Sequence, residues 1–200
     1  MSKPVRNILC YSHYDFDNIM KSNNWINKPG AKVSCVSICS PNEYDLSDHW
    51  FKFDVNKSKV HGRHVFNLDI EDGHPYWFGE WENDIYDKAL DLYNAGKIKE
   101  SNAYFNYLDT TASEFTMLHV LDYEEAFKLV KWIDFEIKHS HTFYIHCAAG
   151  ISRSQAVVRY IRDIYGYKYD IKLNPNNPNN TYNPHIVMML KRAYRSISNF

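Results

Sequence analysis

The chain has 200 residues, 44% of them hydrophobic, and a formal charge of −1. That length and apolar content suit one domain with a substantial core, and the balanced charge gives no general attraction to nucleic acid or to an anionic membrane. No apolar run is long enough to cross a bilayer, Met1–Arg6 opens no signal-peptide core, and Cys10, Cys35, Cys39 and Cys147 form no zinc or disulfide pattern.

A reducing cytoplasm is therefore the expected compartment. The richness in Asn, Tyr and Lys is a bias that AT-rich genomes impose, those of bacteriophages included, which would make it a host cytoplasm. Along the chain, Asn7–Ser12 reads as a short buried strand, followed by a helix over Asp15–Ser22 and a turn at Lys28-Pro29-Gly30. Val33–Cys39 is a second strand, ended by Ser40-Pro41-Asn42-Glu43, and His64–Ile70 a third. A helix is expected over Asp84–Asn94, with a turn at Ala95-Gly96-Lys97. Asp122 reads as the N-cap of a helix running to Lys138, with Ala126, Leu129, Val130, Ile133 and Ile137 on one face. Thr142–Ile145 is a fourth strand, and a helix starts near Ser152 and stops near Gly166. After the Asn/Pro-rich stretch Asn174–Asn180, Asn183-Pro184 opens a last amphipathic helix, Ile186–Ile197. Strands separated by helices predict an α/β fold: a three-layer sandwich with a central, mostly parallel sheet.

The densest chemistry lies in His146-Cys147-Ala148-Ala149-Gly150-Ile151-Ser152-Arg153-Ser154. A strand, a tight loop and a helix start in that order can wrap backbone N–H groups around a phosphate, with the positive end of the helix facing the anion. Cys147 sits at the base of such a cradle, where the same dipoles stabilise a thiolate. Arg153 can hold two phosphate oxygens at once, which lysine cannot. Gly150 permits a backbone geometry that a side chain hinders. A lone buried cysteine is more often structural, and it is the combination that points to chemistry.

This stretch resembles the signature loop of the cysteine-dependent protein tyrosine phosphatases, His-Cys-x-x-Gly-x-x-Arg-Ser/Thr, and is most similar to the compact dual-specificity branch. Asn183–Leu190 and Val36–Cys39 are similar to further elements of that branch. The resemblance implies a metal-independent phosphatase, without cofactor, acting on phosphomonoesters through a phosphocysteine. The substrate would be a phosphoprotein, at Tyr and/or Ser/Thr, or a small phosphorylated metabolite or nucleotide. The alternative is a phosphate-binding module with weak or no turnover.

In the roles the resemblance implies, Cys147 is the nucleophile, His146 holds the loop and tunes Cys147, and Ser154 assists its departure. Arg153 and the amides of Ala148, Ala149, Gly150, Ile151 and Ser152 bind the phosphoryl group. The family's acid lies on a mobile loop. Asp72, after a strand and before Gly73, is the preferred candidate, Asp109 the second and Asp69 the third, although a solvated loop carboxylate is the commoner role of any one such residue.

An insertion over His74–Ser113 departs from the family. It holds Tyr76, Trp77, Phe78 and Trp81 and an excess of acidic residues. Those aromatics could form a lid over the pocket, but packing of the extra helix is the plainer reading. An acidic cap argues against polyphosphorylated or nucleic-acid substrates unless it faces away from the pocket. His61, His64, His74, His139, His141 and His146 match no metal-ligand spacing. Cys35 and Cys39 share one strand face, with core packing as their default.

Overall fold

The computed structural model describes residues 7–23, 33–40, 63–72, 80–115, 120–166, 169–174, 177 and 181–198. In chain order these form β1 (Asn7–Ser12), α1 (His13–Asn23), β2 (Val33–Cys39), β3 (Arg63–Asp69), α2 (Glu80–Asn94), α3 (Ile98–Phe115), α4 (Tyr123–His139), β4 (Thr142–Cys147), α5 (Arg153–Tyr165), β5 (Asp170–Lys172) and α6 (Pro184–Ser198). The strands lie in the order β3-β2-β4-β1-β5, and every neighbouring pair is parallel. The sheet is thus wholly parallel among the described residues. With the six helices among the described residues the chain is a mixed α/β protein, in keeping with a three-layer sandwich.

Parallel strands are usually covered on both faces and so read as near-continuous apolar runs. Here the alternating side chains feed two separate clusters. Ile8 and Cys10 of β1, Val36 and Ile38 of β2, and Phe143, Ile145 and Cys147 of β4 join a large core with the buried faces of α4, α5 and α6. Cys35, with Val33, Val65, Tyr11 and Tyr144 partly buried around it, packs instead with Phe16 and Ile19 of α1. Leu129 and Ile133 of α4 are fully buried, and each such side chain contributes about 1.5–3 kcal/mol.

Helix ends follow local chemistry. Glu125 N–H donates to Asp122 Oδ1 at 2.8 Å and Asp122 N–H to Glu125 Oε2 at 3.3 Å, a complete capping box at the head of α4. α5 ends at Gly166, which has φ +67. α1 begins at His13, two residues earlier than expected, because Asp15 N–H donates to Ser12 Oγ at 3.0 Å.

The insertion differs more. α2 starts at Glu80 rather than Asp84, and a whole further helix, α3, follows it. β5 is a second element absent from the sequence reading. The turn Lys28-Pro29-Gly30, residues Pro41–Glu43, and His61, His74, Tyr76, Trp77 and Phe78 lie outside the described residues. No described helix is long and apolar enough to cross a membrane.

The crossover from β1 leads past β4 to β2, while that from β4 leads past β1 to β5. The two connections therefore leave the carboxyl ends of the adjacent strands β1 and β4 in opposite directions, the place where open α/β sheets form a crevice. Ser12 and Cys147 stand in register at that edge.

Candidate active site

β4 ends at Cys147, whose side chain is 2% exposed. Its Sγ lies 3.2 Å from Ser154 Oγ in the first turn of α5. The same hydroxyl oxygen accepts from Cys10 Sγ–H of β1 at 3.3 Å. Burial pushes the Cys10 thiol up to about 12, the Ser154 bond opposes this, and the neighbouring Cys147 charge adds to the rise. Cys10 is thus a standing S–H donor. An oxygen that accepts from one thiol can turn its own proton toward the other sulfur.

The loop between Cys147 and Arg153 is fastened from outside. Ala148 O accepts from His13 N–H at 3.0 Å. Asn174 Nδ2 donates to Ala149 O at 3.1 Å and to Gly150 O at 3.3 Å, and Gln155 Nε2 also donates to Gly150 O at 3.3 Å. Ile151 O accepts from Asn177 Nδ2 at 3.1 Å. Ser152 O accepts from Ala156 N–H at 3.0 Å and Asn183 N–H at 3.3 Å. Each loop carbonyl from Ala148 to Ser152 is therefore drawn outward. In a trans peptide the C=O and the next N–H point opposite ways, so each amide from Ala149 through Arg153 faces away from the fastening of the carbonyl before it. Successive N–H groups at the head of a helix are an arrangement that can receive an anion.

Gly150 is where the loop bends most tightly. Its φ is +69, and a Cβ there would stand 2.5 Å from Ser12 N, Tyr11 C and Asn174 Nδ2. Only a glycine satisfies both the backbone conformation and the contact with β1.

Arg153 is 4% exposed, and its Nη1 donates to Ile70 O at 2.9 Å. Ile70 directly follows β3, and two residues on stands Asp72. Ser152 Oγ donates to Asp72 Oδ1 at 2.8 Å, and Asn183 Nδ2 donates to the same oxygen at 3.1 Å. Ser152 thus uses its hydroxyl on Asp72 and makes no side-chain cap of α5. Asp72 is exposed at the mouth of the loop. Both bonds fall on Oδ1, and neither donor reaches Oδ2.

The other acid candidates are placed differently. Asp69 is the last residue of β3. Asp109 lies inside α3 rather than on a loop, a correction to its expected setting.

His146 points to the opposite sheet face from Cys147. Its ring is fully buried, stacked on Phe16 at 4.4 Å between centroids and edge-on to His13 at 5.6 Å. Burial first, and the neighbouring His13 second, lower its pKa to about 3. The imidazole is therefore neutral and takes no proton in the ordinary pH range. Cys35 packs on that same face, away from Cys147, and burial pushes its thiol up strongly.

Sequence reasoning missed Cys10, Asn174 and Asn177. The Asn/Pro-rich stretch was visible as a loop, but its role depends on contacts with Ala149–Ile151, more than twenty residues upstream. Cys10 sits opposite Ile145 in the β1–β4 register, information that no local pattern carries. In the insertion, Tyr86 and Phe105 are buried and in edge contact at 5.9 Å, with Tyr86 also beside His185 of α6. Those aromatics join α2 and α3 to each other and to the body. Among the described residues no group of three or more His, Cys, Asp or Glu is placed to hold a metal ion.

No protein-family model matches the chain, and no curated protein sequence matches it.

Proposed function

We propose that this protein is a metal-independent cysteine phosphatase that hydrolyses phosphomonoesters, those of phosphoproteins foremost, through a phosphocysteine intermediate. The observation that carries this reading is the outward fastening of the five carbonyls from Ala148 to Ser152 around Cys147 at the head of α5.

A phosphate dianion entering the loop meets the loop amides, the α5 N-terminus and the Arg153 guanidinium, which stabilise charge on the equatorial oxygens. The Cys147 thiolate attacks phosphorus as the ester P–O bond breaks, and the leaving oxygen takes a proton from Asp72 Oδ2. In the second step water attacks the phosphocysteine while Asp72 takes the water proton. The departing thiolate is met by the Ser154 O–H, which Cys10 orients by occupying the hydroxyl's acceptor side. His146, neutral and buried, fixes the end of β4.

A phosphate-binding module without turnover is the second reading, favoured by the tie of Arg153 Nη1 to Ile70 O. Hydrolysis of para-nitrophenyl phosphate in excess chelator, comparing wild type with Cys147→Ser across pH, separates the two. Chelator-resistant turnover that vanishes in Cys147→Ser is expected. Near-wild-type hydrolysis by that variant would refute the thiolate mechanism, and oxyanion binding with no turnover in either protein would favour the binding module.

A further inference from the structure

A second cationic cleft opens where the inserted α2–α3 pair meets the carboxyl half of α6. Its volume is about 430 Å³, within the range of small-molecule sites. Arg192 and Arg195 line it, one turn apart on α6, and no carboxylate does among the described residues. Glu100, in the first turn of α3, is exposed and outside the lining.

Arg192 is fixed in place. It is 6% exposed, its guanidinium lies 4.9 Å from the Tyr123 ring and 5.4 Å from the Phe105 ring, and Nη2 donates to Asn106 Oδ1. Arg195 lies over the Tyr93 ring at 4.3 Å and is exposed. A buried guanidinium beside an exposed one suits a dianion: Arg195 can give paired N–H bonds to two oxygens, while Arg192, whose Nη2 serves Asn106 and whose Nη1 faces Met189 Sδ, adds positive charge behind it.

The opposite wall supplies different chemistry. Asn102 lines the cleft, and its Oδ1 is buried without a hydrogen-bond donor among the described residues. Tyr123 and Ile98 add an apolar wall for a carbon skeleton.

We propose that this cleft binds an organic phosphate of the sugar-phosphate class, with the phosphate on Arg195 beside the charge of Arg192 and the carbon skeleton against Tyr123 and Ile98. The site is separate from the Cys147 loop. Asn183 marks the loop end of α6, and Arg192 lies nine residues along it, about 13 Å at 1.5 Å per residue. One small ligand does not span both, and the assignment does not depend on catalysis by Cys147.

The test is a titration of isotopically labelled Cys147→Ser protein with glucose 6-phosphate, followed by NMR. This background keeps the probe intact whatever the loop's activity. Saturable shifts at the Asn102 and Asn106 side-chain amides and at the Ser196 amide are expected, distinct from any at Ala148–Ser152. Arg195→Gln, at an exposed position, is expected to weaken the cleft response about tenfold or more and to leave the loop response unchanged. Glucose alone and inorganic phosphate alone are expected to bind each at least tenfold more weakly. The proposal is overturned if the cleft shifts fail to saturate, if sodium chloride at matched ionic strength reproduces them, or if Arg195→Gln binds like its parent. Equal affinity for inorganic phosphate and glucose 6-phosphate would also overturn it.

Discussion

Replacing Gly150 with alanine tests the loop geometry directly. The new Cβ would lie 2.5 Å from Ser12 N and Tyr11 C, backbone atoms at the end of β1, and equally close to Asn174 Nδ2. The amide of Asn174 can shift, but the strand cannot move without disturbing its pairing with β4. A left-handed φ costs alanine about 1–2 kcal/mol, and forced overpacking adds about 1–3 kcal/mol. The total of about 2–5 kcal/mol corresponds to a fall in Tm of roughly 5–15 °C for a chain of this size. Gly96 provides the control. It has a comparable φ of +76 with nothing within 4 Å of a Cβ, so Gly96→Ala bears only the conformational cost and drops Tm by about 3–6 °C. Thermal unfolding followed by circular dichroism, with vanadate affinity measured in parallel, decides the matter. Gly150→Ala is expected to lose the larger Tm and at least tenfold in vanadate affinity, while Gly96→Ala keeps that affinity. Equal Tm losses with intact oxyanion binding in both variants would refute the close packing of the loop on β1.

Asp72→Asn is expected to slow aryl phosphates with poor leaving groups far more than those with good ones, by about 10²-fold or more; equal losses across a leaving-group series would shift the acid role elsewhere. Cys10→Ala removes the S–H donor to Ser154, so kcat is expected to fall several-fold through slower phosphocysteine hydrolysis, with kcat/KM nearly unchanged. A matching loss in kcat/KM would make Cys10 a structural residue only. His146 couples stability to acid. Its folded pKa of about 3 lies below the ordinary value of 6.5, so the unfolded chain binds the proton first and stability is lost as pH falls from about 6.5 toward 3. Near pH 5 this amounts to about 2 kcal/mol. Urea midpoints measured between pH 7 and 4.5 should decline less steeply for His146→Gln than for wild type, and parallel declines would exclude His146 as the source.

The strands carrying the site were legible because their apolar runs are short, β-branched and bounded by Ser, Asn and Pro. Asp122 and Gly166 likewise announced the head of α4 and the tail of α5 through capping chemistry. α3 was not legible. Ser101, Asn102, Asn106, Thr110, Thr111 and Ser113 are indifferent helix formers, and the helix is held by tertiary contacts instead. Ser101 Oγ donates to Ala89 O at 2.7 Å, Phe105 packs on Tyr86, and Asn106 accepts from Arg192. β5 has three residues with only Ile171 partly buried, too few to display a period. At the site, Cys147, Gly150 and Arg153 stood out because they are neighbours in the chain. Cys10, Asn174 and Asn177 did not, because strand order and loop return, rather than local spacing, bring them there.

The position of β1 in the sheet has a consequence for synthesis on the ribosome. This strand, the first described element of the chain, hydrogen-bonds only with β4 and β5 among the described strands, both in its final third. At about 5–20 residues per second, Asn7–Ser12 waits many seconds after its own emergence for a permanent neighbour. Over that interval β2 and β3, already out, can pair with each other, leaving β1 to be inserted beside the strand that completes the loop. His13 N–H and Cys10 Sγ reach Ala148 and Ser154 only at that moment. Oxyanion affinity should therefore be among the last properties the nascent protein acquires, and a truncated chain that stops before β4 would carry a partial sheet with no capacity to hold phosphate there.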